Sequence, residues 1–378
     1  MTLSRVTNLN RTPIEDLYPT ISDQGQELCQ QWIEKYSAAK SVFYQVAELV
    51  KSEVDQWKAT TGEKPTYGKI RRYLFANDLV KKLRKMRSGS VSFAFNAART
   101  DISADLNYQQ RIKDWEKTAT ERLHLNPKIE IPFYVSHSNF HWCPYIATNS
   151  WEEQFLGCVW DIGTSIMDQS SSTVRSYSLG SGRLSRMVEY LSEHFPNFKP
   201  QRILDIGCSA GSSTIAIAME FPEAEIHSID VSSSMLRCGH ALSVALDLPI
   251  HYHQMDASKT TFPDGSFDLI VSNIVFHELP NGIRRRVILE CSRLLSSGGI
   301  MAHMEGGTYM APTNIFQKLW RELDIHGNNE WYIGNASMEK LAVYIEKAGL
   351  NTQGSLLQKI TPSSEFFEGA LLIGGQKI

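Results

Sequence analysis

The sequence predicts an α/β protein whose first half is mainly helical, and three observations carry that reading. After about Arg183, short apolar runs alternate with amphipathic stretches, the pattern of a parallel sheet covered by helices on both faces. Near the end the alternation stops, because residues 352–360 and 366–375 follow one another as two strands and give the sheet an antiparallel edge. Before Tyr177, apolar residues recur at helical spacing instead.

The longest helical stripe starts at Leu28 and continues through Trp32, Tyr36, Ala39, Phe43, Val46, Val50, Val54 and Trp57. Gly62 and Pro65 end it. Shorter helical patterns are expected at 67–86, 102–123 and 151–167, and the β-branched and aromatic run 129–135 reads as an extended segment. The Ser- and Gly-rich stretch 168–183 reads as a boundary loop. It separates a helical N-terminal cap or substrate domain (1–177) from an α/β domain (178–378). In the second part strands are expected at 202–206, 225–231, 250–255, 269–272 and 300–304. Helices are expected at 183–194, 213–220, 233–246, 282–295 and 338–348.

Composition narrows the partners. The 378 residues carry 38 Lys and Arg against 41 Asp and Glu, a net charge of -3, which argues against coating nucleic acid by bulk electrostatics. Arg71, Arg72 and the run 81–87 form the marked basic cluster, read as a solvated helix face or a partner contact. No RNA-binding motif accompanies it, so nucleic acid is disfavoured. Six cysteines are scattered without a Cys-x-x-Cys pair, which disfavours a zinc site or a disulfide framework and fits reduced thiols in a cytoplasm. The opening residues have no apolar core, so no signal peptide is expected, and no run approaches the ~18 apolar residues of a membrane span. The composition also leaves room for a homo-oligomer.

The most informative segment is Arg202-Ile-Leu-Asp-Ile-Gly-Cys-Ser-Ala-Gly-Ser-Ser-Thr, a buried strand, a glycine turn and a helix start. Glycines at 207 and 211 let the backbone turn tightly and approach a ligand. The N–H groups that open the following helix favour an anionic group. Three acids stand at consecutive strands. Asp205 lies inside an apolar strand, where an ionised carboxylate needs a partner. Asp230 ends the next strand, where a carboxylate can accept from both ribose hydroxyls of an adenosine. Asp256 ends the third and can accept from an adenine amino group. A dinucleotide-binding loop would read Gly-x-Gly-x-x-Gly, whereas this one reads Gly-Cys-Ser-Ala-Gly.

The segments 203–211, Ile229-Asp230, Met255-Asp256-Ala257 and Phe262-Pro-Asp-Gly-Ser-Phe-Asp-Leu-Ile resemble the successive motifs of class I S-adenosylmethionine-dependent methyltransferases. Phe276-His-Glu-Leu-Pro, the Leu-Leu-Ser-Ser-Gly-Gly turn and the last two strands continue in family order, so the likeness covers about 179–378. One departure is Ser209, where the family usually has its central glycine. The resemblance implies a seven-stranded Rossmann-like sheet with an antiparallel last strand, and S-adenosyl-L-methionine as cofactor. It implies that Gly207, Cys208 and Gly211 pass the methionine part of the cofactor, with Asp205 near its amino group. Asp230 would hold the ribose, with Val231 against the adenine. Asp256 and Ala257 would read the adenine edge, and Asn273 would border the sulfonium.

Methyl transfer needs an acceptor held in line in a dry site, and a hydroxyl or carbon acceptor also needs a base. His277 is the first candidate base, and Glu305, at the mouth of its strand, is expected to orient the acceptor. His303 is a weaker candidate than hydrogen-bonded core. His251 and His253 lack a third ligand, so no metal is expected. Glu278, Tyr145, Trp160 and Tyr177 are the expected acceptor-side residues, with Trp142 and Trp151 as further aromatic lining. The expected activity is methyl transfer to a small molecule, a specialised metabolite or amino-acid-like compound. Intramolecular displacement at the sulfonium and non-catalytic cofactor binding are the alternatives.

Overall fold

A computed structural model describes residues 14–87, 89–136, 143–168, 182–310, 312, 314–327, 330–335, 337–352, 356–359 and 369–378. Trp142, Tyr177, the opening residues and nearly all of the expected boundary loop lie outside them.

Five helices come first: α1 (Asp23–Thr61), α2 (Tyr67–Ala76), α3 (Asp78–Arg87), α4 (Ser92–Ala104) and α5 (Leu106–Glu116). Ser22 starts α1 by accepting from the Gly25 N–H, and Gly62 ends it at φ 75°, its N–H returning to the Lys58 carbonyl. The buried residues Cys29, Trp32, Ala39, Phe43, Val46 and Val50 follow the stripe read from the sequence. Two expected helices are broken by capping side chains. Asn77 is extended (ψ 135°), and its Oδ1 accepts from the Leu79 N–H at 2.9 Å, dividing 67–86 into α2 and α3. Asp105 caps α5 by accepting from the Tyr108 N–H at 2.8 Å, so the expected 102–123 helix is the end of α4 followed by α5.

The run 129–135 is not a strand. Val135 and Ser136 both donate their N–H to the Pro132 carbonyl, at 3.0 and 3.1 Å, and the segment turns. The strand in this region is instead the two-residue β1 (Leu123–His124), followed by α6 (Ser150–Asp168).

The α/β part runs α7 (Gly182–His194), β2 (Arg202–Ile206), α8 (Ser212–Glu220), β3 (Glu225–Asp230), α9 (Ser233–Ala245), β4 (Ile250–Gln254), β5 (Phe267–Asn273), α10 (Asn281–Leu294) and β6 (Leu295–Gly306). It closes with α11 (Gly307–Met310), α12 (Ile315–Gly327), α13 (Met338–Lys347), β7 (Leu350–Asn351), β8 (Leu357–Lys359) and β9 (Ala370–Lys377). Neither α11 nor α12 was expected. The sheet order is β1-β4-β3-β2-β5-β6-β9-β7, with β8 also on β9. Pairing is parallel from β1 to β6, and β9 runs antiparallel to β6, β7 and β8. Of the expected strand 352–360, residues 357–359 form β8 on the outer edge of β9, beside β7, and residues 353–355 and 360 lie outside the described ones.

The helical half shares a core with the sheet. Phe95, Ile102, Tyr108, Phe155, Leu156 and Val159 lie in the same buried cluster as Met235, Leu236, Cys238 and Ile203. Gly157 brings α6 onto α9: its N–H donates to Ser234 Oγ at 3.0 Å, and that hydroxyl donates to the Glu152 carbonyl at 2.7 Å. A separate cluster joins α1, α2 and α3 to α12 through Phe43, Leu74, Leu83 and Leu323. All six cysteines are buried free thiols. No helix among the described residues is long and apolar enough to cross a membrane.

Candidate active site

The glycine loop leaves β2 through three left-handed residues, Gly207 (φ 66°), Ser209 (φ 51°) and Gly211 (φ 82°). A Cβ at Gly207 would come 2.9 Å from Val275 Cγ2, and one at Gly211 would come 2.6 Å from the Tyr252 hydroxyl. Both positions therefore need glycine. Ser209 holds the left-handed conformation that the family's glycine would supply, at a penalty of about 1 kcal/mol. Its N–H donates to Asp230 Oδ2 at 2.9 Å, which offsets that strain. The first N–H groups of α8 have no partner within the helix, and they open just beyond this loop.

Three carboxylates stand at the carboxyl ends of β2, β3 and β4. Asp205 is 1% exposed and accepts from Thr214 Oγ1 at 2.7 Å. Burial pushes its carboxyl up to about 7, against the Thr214 hydrogen bond and with help from the Asp230 charge. Asp230 is buried and accepts three hydrogen bonds: Ser232 N–H on Oδ1 at 2.9 Å, and both Ser209 N–H and the Tyr145 hydroxyl, at 2.7 Å, on Oδ2. Burial raises it too, opposed by those bonds. Asp256 is half-buried and accepts from the Ser258 N–H at 2.7 Å. Val231 and Ala257 pack on the edge of the buried cluster that contains Ile206 and Ile229. At the end of β5, Asn273 Nδ2 donates to Ser213 Oγ at 3.0 Å and ties that strand to the start of α8. The next residue, Ile274, is left-handed at φ 59°, an uncommon conformation for a β-branched side chain.

Two tyrosines reach these acids from the helical half. Tyr145 is locked by its hydroxyl on Asp230 and by its carbonyl, which accepts from Ser232 Oγ at 2.8 Å. Trp160 stands edge-on to its ring at 5.2 Å and packs on Phe95. Tyr134 is buried, and its hydroxyl is raised first by burial and then by the charges of Asp256 and Asp230. The sequence reading missed Tyr134, because nothing in an irregular segment marks which side chain turns inward. Trp151 stands at the start of α6, where it packs on Phe155 and under the Arg99 guanidinium.

The expected catalytic pair is arranged differently from a base and an acceptor anchor. Glu305 is fully buried and turned inward, accepting from the N–H groups of Val275 and Phe276 at 2.9 and 2.6 Å and facing His277 Nδ1 at 2.8 Å. On the other side of the ring, His277 Nε2 lies 3.2 Å from Glu278 Oε1 and 4.0 Å from Glu330 Oε2. Burial would lower this imidazole, but Glu278 and Glu305 more than offset it and hold it well above its ordinary value. Carboxylates thus face both ring nitrogens. Arg284, 1% exposed, braces the same turn by donating to the carbonyls of Phe276, His277 and Tyr332. His303 is core: Nδ1 meets Ser272 Oγ at 2.8 Å, and burial pushes the ring down to about 3. His251 and His253 stack with His124 and His227 on one face of the sheet. Arg71 is bound to Glu322 on α12 and is not aimed at the strand ends.

Residues 203–299 match the family described as a methyltransferase domain. Ribosomal RNA small subunit methyltransferase C of Shewanella loihica is 28% identical over 153 residues, 40% of this chain and 44% of the relative. Trans-aconitate 2-methyltransferase of Methylobacterium radiotolerans is 30% identical over 130 residues, 34% of this chain and 47% of the relative. The chain thus spans less than half the length of either. Among solved structures, geranyl diphosphate C-methyltransferase from Streptomyces coelicolor has a TM-score of 0.41 at 14% identity, over 51% of this chain and 76% of that one. The matched segment, a methyltransferase domain, thus falls on the Rossmann-like sheet from β2 into β6, as the resemblance to class I S-adenosylmethionine-dependent methyltransferases implies.

Proposed function

We propose that the chain is an S-adenosylmethionine-dependent methyltransferase that transfers the methyl group to a small molecule, a specialised metabolite or amino-acid-like compound. The observation that carries this reading is the row Asp205, Asp230, Asp256 at consecutive parallel strand ends, beside a loop with three left-handed residues. That set of acceptors suits an ammonium group, a ribose diol and an adenine amino group in turn. The opening N–H groups of α8 suit the carboxylate of the same ligand.

In this reading Gly207, Cys208 and Gly211 border the methionine part and Asp205 faces its ammonium group. Asp230 takes the ribose, Val231 and Ala257 flank the adenine beside Asp256, and Asn273 borders the sulfonium. The cofactor supplies an electrophilic methyl group. The chain's own work is to hold the acceptor in line and exclude water. His277 and Glu305 are positioning residues that fix the loop after β5. Tyr145, Trp160, Glu278 and Tyr177 belong to the acceptor side, and residues 1–177 cap the site formed by 178–378. Tyr134 joins that cover.

A small acceptor is favoured over RNA because the basic helix α3 packs in the cluster with α1 and α12, which contains none of the strand-end residues. The test is product analysis after incubation with S-adenosylmethionine and candidate acceptors. S-Adenosylhomocysteine supports transfer. Methylthioadenosine indicates displacement within the cofactor, and cofactor binding without either product indicates a non-catalytic protein.

A further inference from the structure

His277 and Glu330 are each 2% exposed and come from separate parts of the chain, the turn after β5 and the segment after α12. With Glu278 they bring one imidazole nitrogen and two carboxylate oxygens within 4.8 Å of one another. Ligands about 2.0–2.2 Å from a shared ion lie roughly 3–4.4 Å apart. The observed 3.2 and 4.0 Å from His277 Nε2 to the two carboxylates fall in that range.

The far side of the ring is already organised. Glu305 accepts from two backbone N–H groups and faces His277 Nδ1, so it holds the ring from that side. That points Nε2 at Glu278 and Glu330, where a bound ion would take the place of the Nε2 proton. Carboxylate behind histidine, with the opposite nitrogen facing further ligands, is the usual support of a metal-binding imidazole.

We propose that His277 Nε2, Glu278 and Glu330 form a binding site for a divalent first-row transition cation, with Glu305 orienting the imidazole from behind. One nitrogen and two oxygens favour a borderline ion such as Mn²⁺, Fe²⁺ or Zn²⁺ over copper(I). Three protein ligands leave coordination positions for water or another oxygen donor. The site does not depend on which reaction the glycine loop serves.

The test uses the full chain, free of any affinity tag and stripped with chelator. It is titrated with Co²⁺ followed by visible absorption, and with Zn²⁺ and Mn²⁺ followed by elemental analysis after dialysis. One equivalent per chain is expected for at least one of these ions. Glu330→Gln and Glu278→Gln should each weaken that binding at least tenfold, and Glu305→Gln by about 10–100-fold. Circular dichroism checks that each variant is folded, and the half-buried Glu278 provides the test if Glu330→Gln does not fold. Failure of all three ions to bind the stripped chain overturns the proposal. So does binding that is unchanged in a folded Glu278→Gln or Glu330→Gln variant, which would place the ion elsewhere.

Discussion

The Tyr145 hydroxyl donates to Asp230 Oδ2 across 2.7 Å, from the helical half to the carboxyl end of β3. Asp230 is the acceptor assigned to the ribose, so the phenol occupies a lone pair that the ribose would use. Asp230 already accepts from two backbone N–H groups, and a carboxylate offers about four acceptor positions. Tyr145→Phe should therefore tighten S-adenosylmethionine binding by about 1 kcal/mol, the net worth of one hydrogen bond. Calorimetry that finds weaker binding would make the phenol a cofactor contact.

Asp205 gives a pH signature. Burial raises its carboxyl to about 7, so it becomes neutral below that pH and loses its attraction for an ammonium group. Cofactor affinity should fall as pH drops through 7, approaching tenfold per unit between about pH 7 and 5.5. Asp205→Asn should bind more weakly at pH 7.5 and lack this part of the dependence. A wild-type profile identical to that of the variant would remove Asp205 from the site.

A second titration concerns stability. His253 packs against His124, His251 and His227, which itself faces Glu225 and Arg202, and burial together with the other histidines pushes His253 down to about 3. Its folded pKa lies below the unfolded value of about 6.5, so the unfolded chain binds the extra proton. The stability this group contributes is complete above pH 6.5 and is lost as pH falls. His253→Gln should gain on wild type by about 2 kcal/mol between pH 7 and 5. A pH-independent difference in denaturant unfolding would show that His253 does not titrate this way.

Much of this arrangement was legible in the sequence because it is local. The strands 202–206, 225–231 and 250–255 and the helices between them lie within a residue or two of β2, β3, β4, α8 and α9. The splits at Asn77 and Asp105 were missed because capping by a single side chain competes with an otherwise continuous helical stripe. The run 129–135 has strand-like residues, but the Pro132 carbonyl gathers two N–H groups into a turn. The pairing of His277 with Glu305 was not legible because the two lie 28 residues apart. Tyr145 and Asp230 are 85 residues apart, and no spacing rule reaches that far.

The contact between α6 and α9 can be tested at one atom. A Cβ at Gly157 would lie 2.7 Å from Cys238 Cβ and 2.9 Å from Met235 Cα, and neither neighbour has a flexible end to move aside. Gly157→Ala should destabilise the chain by about 1–3 kcal/mol through overpacking. An unchanged melting temperature by calorimetry would mean that the helical half does not pack on α9 this closely.

Calorimetric titration with S-adenosylmethionine, in wild type and Asp230→Ala, tests the central claim most directly. Wild type should bind both S-adenosylmethionine and S-adenosylhomocysteine and should not bind NAD. Asp230→Ala should lose about 1–3 kcal/mol of that affinity, the scale of charge-assisted hydrogen bonds to a diol. No binding by wild type, or unchanged affinity in a folded Asp230→Ala variant, would contradict the account.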